Sequence, residues 1–300
     1  MIQPIHVARE QFPKSDVKSE GMKSLNISCD NRMMEYIDDI EYINRDGISL
    51  YIQLIMPVDR TQDTPLIIYV PGSAFRWQHV KRVMPPAILL ANRGFSIAMV
   101  QYRGSEVAAF PAQMLDVKAA VRFMKMNASK YRLNPDNIYL MGDSSGGHTV
   151  LMAGLTVGME QFKEEIYREV SSGVKGIVDL YAPTDITKMN DELSSMNHIE
   201  PDSPEGCLIG GHNVLEHPEL TEPTVVMNYI DADREIPPVL IFHGTNDELV
   251  PFGQSCMLYD KLVSCNKQAT FYAIENAHHG GREFWSNQVL DIIEDFIKSV

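Results

Sequence analysis

Short apolar runs alternate along the chain with stretches in which apolar residues recur every three or four positions. The apolar runs predict buried strands at residues 66–70, 95–100, 138–141, 174–180, 239–242 and 270–274. The helical spacing predicts helices at residues 80–92, 111–131, from about 145, 253–263 and 282–299. This alternation predicts an α/β fold with a mostly parallel central sheet and helices on both faces.

Three segments depart from that alternation. Residues 41–44 and 48–56 alternate apolar and polar side chains around Arg45-Asp46-Gly47, which predicts an antiparallel hairpin at the sheet edge. Residues 1–35 lack periodicity and are predicted to form an N-terminal arm, which leaves 36–300 as the main domain. Residues 182–238 are polar, acidic and rich in Pro and Gly, and are predicted to form a small cap over the carboxyl edge of the sheet. A surface excursion without a function is the alternative.

Composition places the chain among ordinary globular proteins. Its 300 residues are 44% hydrophobic and 22% charged, enough for one large core without a disulfide scaffold. The N-terminal residues lack the pattern of a signal peptide, and no apolar run is long enough to span a membrane, so we expect a cytoplasmic protein. Four cysteines without metal-binding spacing are expected to be free thiols: Cys29, Cys207, Cys256 and Cys265.

The net charge of −14 is unevenly distributed. Residues 185–235 hold twelve acidic and two basic residues, a net charge of −10. No basic patch interrupts this bias, so we expect no nucleic-acid partner and no membrane partner. The acidic segment is either a solvated face or a device that repels anionic substrates. The sequence does not indicate an oligomeric state.

A pentapeptide motif lies where a predicted strand meets a predicted helix. Gly142-Asp143-Ser144-Ser145-Gly146 fits the Gly-x-Ser-x-Gly pattern of a nucleophile elbow. The elbow turns so tightly that the residues two before and two after the serine must lack bulk. We therefore predict Ser144 as the nucleophile and the backbone N–H of Ser145 as one oxyanion donor. An ordinary Gly-Ser turn before a helix is the alternative.

A serine nucleophile needs a base, and the base needs a carboxylate that orients it. In folds of this kind the acid and then the histidine follow later strands, at the same sheet edge as the serine. Asp247 follows the strand at 239–242, and adjacent Glu248 is its rival. His279 follows the last strand, and the two glycines after it, which free its loop to turn inward, favour it over its neighbour and rival His278. Structural roles are predicted for two other histidines, His148 and His243.

These stretches together resemble the α/β-hydrolase carboxylesterases, and most of all the bacterial branch that includes acetyl esterases and feruloyl esterase-like enzymes. The resemblance extends from about residue 36 to the C-terminus and is carried by residues 142–147, 203–211, 243–251 and 277–280. It implies the α/β-hydrolase fold, with Ser144 as nucleophile, Asp247 as acid and His279 as base. It also implies that no cofactor and no metal ion is needed.

The loop after the strand at 66–70 departs from the family pattern. Where the family usually has His-Gly-Gly-Gly and an aromatic residue, this chain has Pro71-Gly72-Ser73-Ala74-Phe75. The backbone N–H groups of this loop normally complete the oxyanion hole. Ser73 and Ala74 both keep an N–H group, so each is a candidate second donor beside Ser145. His278 is a further departure, at a position where the family often has Gly.

The function expected from these residues is hydrolysis of small or medium carboxylic esters through an acyl-enzyme on Ser144. A small-amide hydrolase that uses the same triad is one alternative. A non-catalytic binding protein with the same fold is another, and the complete Ser, Asp and His set argues against it. The acyl and alcohol groups of the ester are set by pocket shape, which the sequence does not reveal.

Overall fold

The computed structural model describes residues 3–28, 32–45, 47–163 and 165–300. The chain divides into two compact units, Met1–Asn31 and Arg32–Val300. The described part of the first unit contains a 3₁₀ turn at Arg9–Gln11, and its side chains are exposed. The strands and α-helices belong to the second unit, whose first strand begins at Met34, just inside the predicted 1–35 arm.

A single sheet forms the centre of the second unit. Its strands within the described residues are β1 Met34–Arg45, β2 Ile48–Pro57, β3 Thr64–Val70, β4 Ser96–Val100, β5 Leu133–Asp143, β6 Gly176–Leu180, β7 Val239–Gly244 and β8 Ala269–Ile274. Their order is β1-β2-β4-β3-β5-β6-β7-β8. The pairs β1–β2 and β2–β4 are antiparallel, and the remaining pairs are parallel. The predicted edge hairpin is therefore present as β1 and β2, although Asp46 in its turn lies outside the described residues.

Helices cover both faces of the sheet, as predicted. Those of the described residues are α1 Met84–Ala91, α2 Ala112–Met126, α3 Ala128–Tyr131, α4 Ser145–Leu155, α5 Pro204–Leu208, α6 Pro218–Thr221, α7 Gly253–Ser264 and α8 Asn287–Ser299. Along β3, Leu66 and Ile68 pack with α2, α4 and α7, whereas Ile67 and Tyr69 pack with α1 and α8. Alternate side chains of a strand point to opposite faces, so one buried strand supplies both cores.

Three of the predicted helices are each divided into two pieces. Pro85 and Pro86 lack an N–H group and suit only a first turn, so α1 begins at Met84 after a short 3₁₀ turn. The side chain of Asn127 donates to the carbonyl of Phe123 at 2.8 Å, where α2 gives way to α3. The hydroxyl of Ser286 accepts from Val289 N–H and caps α8, which separates it from the turn at Arg282–Trp285.

The cap segment at 182–238 lies between β6 and β7 and contains α5, α6 and several 3₁₀ turns, with no strand among its described residues. It has a small apolar cluster of its own, formed by Ile186, Ile209 and Val214. The segment follows β6 and therefore begins at the carboxyl end of that strand, which lies beside the carboxyl end of β5 because β5 and β6 are parallel. This places it near the edge where the predicted site residues lie.

Cys207, Cys256 and Cys265 are free thiols, as expected, whereas Cys29 lies outside the described residues. Across the described ranges, none of the helices combines the length and the apolar character that crossing a membrane would require.

Candidate active site

Ser144 occupies a sharp turn between β5 and α4. Its backbone has φ 52° and ψ −126°, a conformation that costs free energy in a residue with a side chain. The neighbouring backbone explains both glycines of the motif, since a Cβ on Gly142 would strike Gly146 and a Cβ on Gly146 would strike the carbonyl of Val70. The turn is further fixed by Ser144 N–H, which donates to Leu180 O at 2.9 Å. The geometry is that of the predicted elbow.

The structure brings Ser144, His279 and Asp247 into one hydrogen-bonded line. The Oγ atom of Ser144 lies 3.0 Å from Nε2 of His279, and Nδ1 of His279 lies 2.7 Å from Oδ2 of Asp247. The Asp247 side chain is fully buried, whereas that of His279 is 13% exposed and reaches the cleft. The ring of Tyr181 packs edge-on against that of His279, with 4.7 Å between the centroids. Three loops at the carboxyl ends of β5, β7 and β8 therefore meet, as the strand order predicts.

Asp247 is held as a carboxylate. Burial alone would raise its pKa, but hydrogen bonds from His243 and His279 hold the pKa well below its ordinary value. Its other oxygen, Oδ1, accepts the backbone N–H groups of Leu249 and Val250, both at 2.9 Å. The carboxylate is thus ionised and fixed in direction, which suits a group that orients an imidazole.

The sequence neighbours that rival Asp247 and His279 pair with each other instead. Nδ1 of His278 lies 3.1 Å from Oε2 of Glu248, and these side chains are 67% and 49% exposed. Neither lines the cavity beside Ser144. The structure therefore favours Asp247 and His279 over these neighbours, as the sequence did.

The two histidines expected to be structural have buried hydrogen bonds. His243 lies between Ser255 Oγ, at 2.8 Å, and Val250 O, at 2.9 Å. His148 in α4 lies 2.8 Å from the carbonyl of Thr224 in the cap, and burial lowers its pKa to about 4. A neutral His148 therefore ties the elbow helix to the cap.

The loop that follows β3 contains two candidate N–H groups, of which one already has an acceptor in the protein. The N–H of Ser73 donates to Oγ of Ser145 at 2.9 Å. The N–H of Ala74 has no acceptor among the residues that the structure describes. Ala74 and Phe75 have φ values of 55° and 59°, so the backbone is strained where it turns at the cavity. Of the two candidates, Ala74 is the one whose N–H is available to a substrate.

This chain lacks the histidine that the family usually has at position 71, and a small hydrogen-bonded network around Tyr102 lies beside the loop instead. The hydroxyl of Tyr102 lies 3.0 Å from Oγ of Ser73 and 3.4 Å from Oγ of Ser145, and Tyr102 N–H donates to Gln78 Oε1. Burial raises the pKa of Tyr102 to about 12, so the hydroxyl stays protonated. No pattern in the sequence predicts this network, because its members lie on separate loops.

A cavity of about 290 Å³ opens at Ser144. The elbow and the loop at 72–75 form one wall, and the cap supplies polar and apolar side chains to another, including Met196, His198 and Glu205. Glu205 belongs to the segment 203–211 that resembles the esterase branch, but its position in the cavity does not follow from that pattern. No cluster of three or more His, Cys, Asp or Glu side chains in the described ranges is arranged to hold a metal ion.

The strand order, the elbow and the buried Ser–His–Asp line define a protein of the α/β-hydrolase fold. The sequence profile of the BD-FAE family matches residues 52–262, which is more than half of the chain. The chain belongs to the BD-FAE family.

Three relatives illustrate what the chain is similar to. It is 28% identical over 225 residues to the probable carboxylic ester hydrolase LipM of Mycobacterium tuberculosis (strain ATCC 25618 / H37Rv), a match that covers 72% of this chain and 49% of LipM. A truncated form of a carbohydrate esterase from gut microbiota has a TM-score of 0.80 and 28% identity, covering 90% of this chain and 97% of that one. A bifunctional GH43-CE protein of Bacteroides eggerthii has a TM-score of 0.78 and 27% identity, covering 88% of this chain and 38% of that one. The chain spans about half the length of the curated relatives it matches.

Proposed function

We propose that this protein is a serine carboxylesterase that hydrolyses esters through an acyl-enzyme on Ser144. The observation that carries the proposal is the unbroken line from Ser144 Oγ through His279 to the buried carboxylate of Asp247. The family membership and the ester hydrolases among the relatives support the same activity.

In the first half of the reaction Ser144 attacks the ester carbonyl. His279 Nε2, 3.0 Å from the hydroxyl, takes its proton. Asp247 keeps the opposite nitrogen protonated and stabilises the imidazolium that forms. His279 then returns the proton to the departing alkoxide, so an alcohol leaves and the acyl group stays on Ser144. Water repeats the attack on the acyl-enzyme with His279 again as base, and a carboxylic acid is released.

The negative charge that develops on the carbonyl oxygen needs fixed donors. We assign this role to the backbone N–H groups of Ser145 and Ala74. Ser145 is the first residue of α4, where N–H groups have no acceptor within the helix and the helix dipole favours negative charge. Ser73 then has a supporting role, because its N–H holds the side chain of Ser145.

The substrate that fits these features is an ester with a small acyl group. The cavity of about 290 Å³ lies at the lower end of the range for ligand pockets. The carbohydrate esterase among the structural relatives supports a sugar as the alcohol, so we propose short acyl esters of carbohydrates as the substrate class.

Matched esters and amides test the activity. We expect hydrolysis of p-nitrophenyl acetate and butyrate to exceed that of the octanoyl ester, and of the matching acetanilide, by at least tenfold. Dominant amide turnover would contradict the esterase assignment. A fluorophosphonate probe tests the nucleophile: it should label the wild type and not Ser144→Ala. Labelling that persists in Ser144→Ala would show that another residue reacts.

A further inference from the structure

The cap places a buried carboxylate in the wall of the proposed active site. Glu205 lines the same cavity as Ser144 and is only 3% exposed. It belongs to the single-turn helix α5, whose position is fixed by Ser203, since the Ser203 hydroxyl accepts from Gly206 N–H at 2.9 Å. A carboxylate is costly to bury unless its oxygens find hydrogen-bond donors.

One oxygen of Glu205 is satisfied by the cap itself. Its Oε2 atom lies 3.0 Å from Nδ1 of His198. Nε2 of His198 lies 3.0 Å from the carbonyl of Leu249 and 2.9 Å from Oγ of Ser194. A carbonyl oxygen can only accept, so Nε2 is the donor in its contact with Leu249. This contact fixes the His198–Glu205 pair to the loop that contains Asp247.

The other oxygen, Oε1, has no hydrogen-bond partner in the part of the chain that the structure describes. Because Oε1 is also not sealed from solvent, it remains accessible. Since Glu205 lines the cavity, a ligand there can supply the missing donor. The donor that a carbohydrate ester brings to this position is a hydroxyl group.

We propose that Glu205, held by His198, determines specificity by accepting a hydrogen bond from a hydroxyl group of the substrate. This rests on the proposed esterase function and assigns its preference to one residue. A sphere of 290 Å³ is about 8 Å across. An ester whose carbonyl lies at Ser144 can therefore place a hydroxyl group a few bonds away against Glu205. The hydroxyl belongs either to the alcohol or to the acyl part of the ester.

Paired substrates separate these two sources. For the alcohol side, the pair is 2-hydroxyethyl acetate and 2-methoxyethyl acetate. For the acyl side, it is ethyl glycolate and ethyl methoxyacetate. The methoxy compounds keep the oxygen as an acceptor but cannot donate. We expect wild-type kcat/KM to favour the hydroxyl compound about tenfold in one pair, because a hydrogen bond to a carboxylate is strong. The pair that shows the preference identifies the side of the ester.

The variant Glu205→Leu makes the assignment specific. Leucine has no hydrogen-bonding group in its side chain, so the cavity wall loses the acceptor that the substrate hydroxyl would use. The hydroxyl-to-methoxy ratio should then fall to about one, because neither compound finds a partner at this position. Each ratio is measured within one variant, so a loss of folded protein cancels. Glu200→Leu, the same change at an exposed position of the cap, should keep the wild-type ratio.

Two results would overturn the proposal. Equal wild-type turnover within both pairs would show that no hydroxyl is recognised, whether or not the variant folds. A wild-type preference that survives in Glu205→Leu would assign recognition to another residue. Neither result touches the esterase function, which is tested separately by comparing p-nitrophenyl acetate with the matching acetanilide.

Discussion

Replacing Asp179 with asparagine should change how stability depends on pH. Asp179 is fully buried in β6, immediately behind the elbow helix. Its Oδ1 atom accepts Ala182 N–H at 3.2 Å, whereas Oδ2 is buried without a partner in the described ranges. Burial raises the pKa of Asp179 from 3.8 to about 8. At neutral pH the folded protein therefore holds a proton at Asp179 that the unfolded chain has lost.

The sign and size of the effect follow from this difference. Between pH 3.8 and about 8 the folded state binds one proton more than the unfolded state, so stability falls as pH rises. The fall is about 1.4 kcal/mol per pH unit, or about 3 kcal/mol from pH 5 to pH 7. Asparagine has the same shape and still accepts from Ala182, but it does not titrate. The free energy of unfolding of Asp179→Asn, relative to that of the wild type, should therefore increase by about 3 kcal/mol from pH 5 to pH 7.

Urea unfolding of both proteins at pH 5, 6, 7 and 8 measures this difference in free energy of unfolding. His148 acts with the opposite sign, because its pKa is lowered to about 4 in the folded state and its contribution to stability is lost as pH falls below about 6.5. Its effect is common to both proteins and cancels in the comparison. If the difference between Asp179→Asn and the wild type is the same at pH 5 and pH 8, the buried acid is not protonated and the reasoning fails.

The remaining predictions concern the site. Asp247→Asn should lower kcat by about 10⁴-fold, because the imidazole loses the partner that fixes its tautomer, whereas Glu248→Gln should change kcat about twofold or less. Equal losses in these two variants would contradict the choice of acid. His279→Gln should abolish steady-state turnover of p-nitrophenyl acetate and His278→Gln should not; the reverse result would exchange their roles. Ser145→Ala should lower kcat about three- to tenfold with little change in KM, because the loop that presents Ala74 loses the acceptor of Ser73 N–H. An unchanged kcat would show that other contacts hold the loop.

The parts of the site that the sequence predicts are those set by local pattern and by strand order. A Gly-x-Ser-x-Gly motif between an apolar run and a helix locates Ser144 without knowledge of the fold. The rule that loops at one sheet edge meet then selects Asp247 and His279. The two glycines after His279 favour it over His278, whereas the contacts that separate Asp247 from Glu248 depend on side-chain directions that only the structure shows.

Contacts between distant segments are the parts that sequence reasoning could not reach. The availability of Ala74 N–H depends on Ser73 N–H being occupied by a side chain from another strand–helix turn. The His198–Glu205 pair in the cap depends on a histidine and a glutamate brought together by irregular turns, where apolar periodicity carries no information. Similarly, periodicity predicted continuous helices at 111–131 and 282–299, because it does not register side chains such as Asn127 and Ser286 that bond to the backbone.

The adjacency of β3 and β5 has a consequence for the order of folding. Ser73 and Ser145, which follow these strands, are 72 positions apart in the sequence. Their parallel pairing must close a long loop of chain, and such closures are slow and entropically costly. The proposed oxyanion site therefore does not exist in any locally folded fragment. We expect esterase activity to appear only after these distant segments have paired, whereas helix content can appear earlier from local contacts.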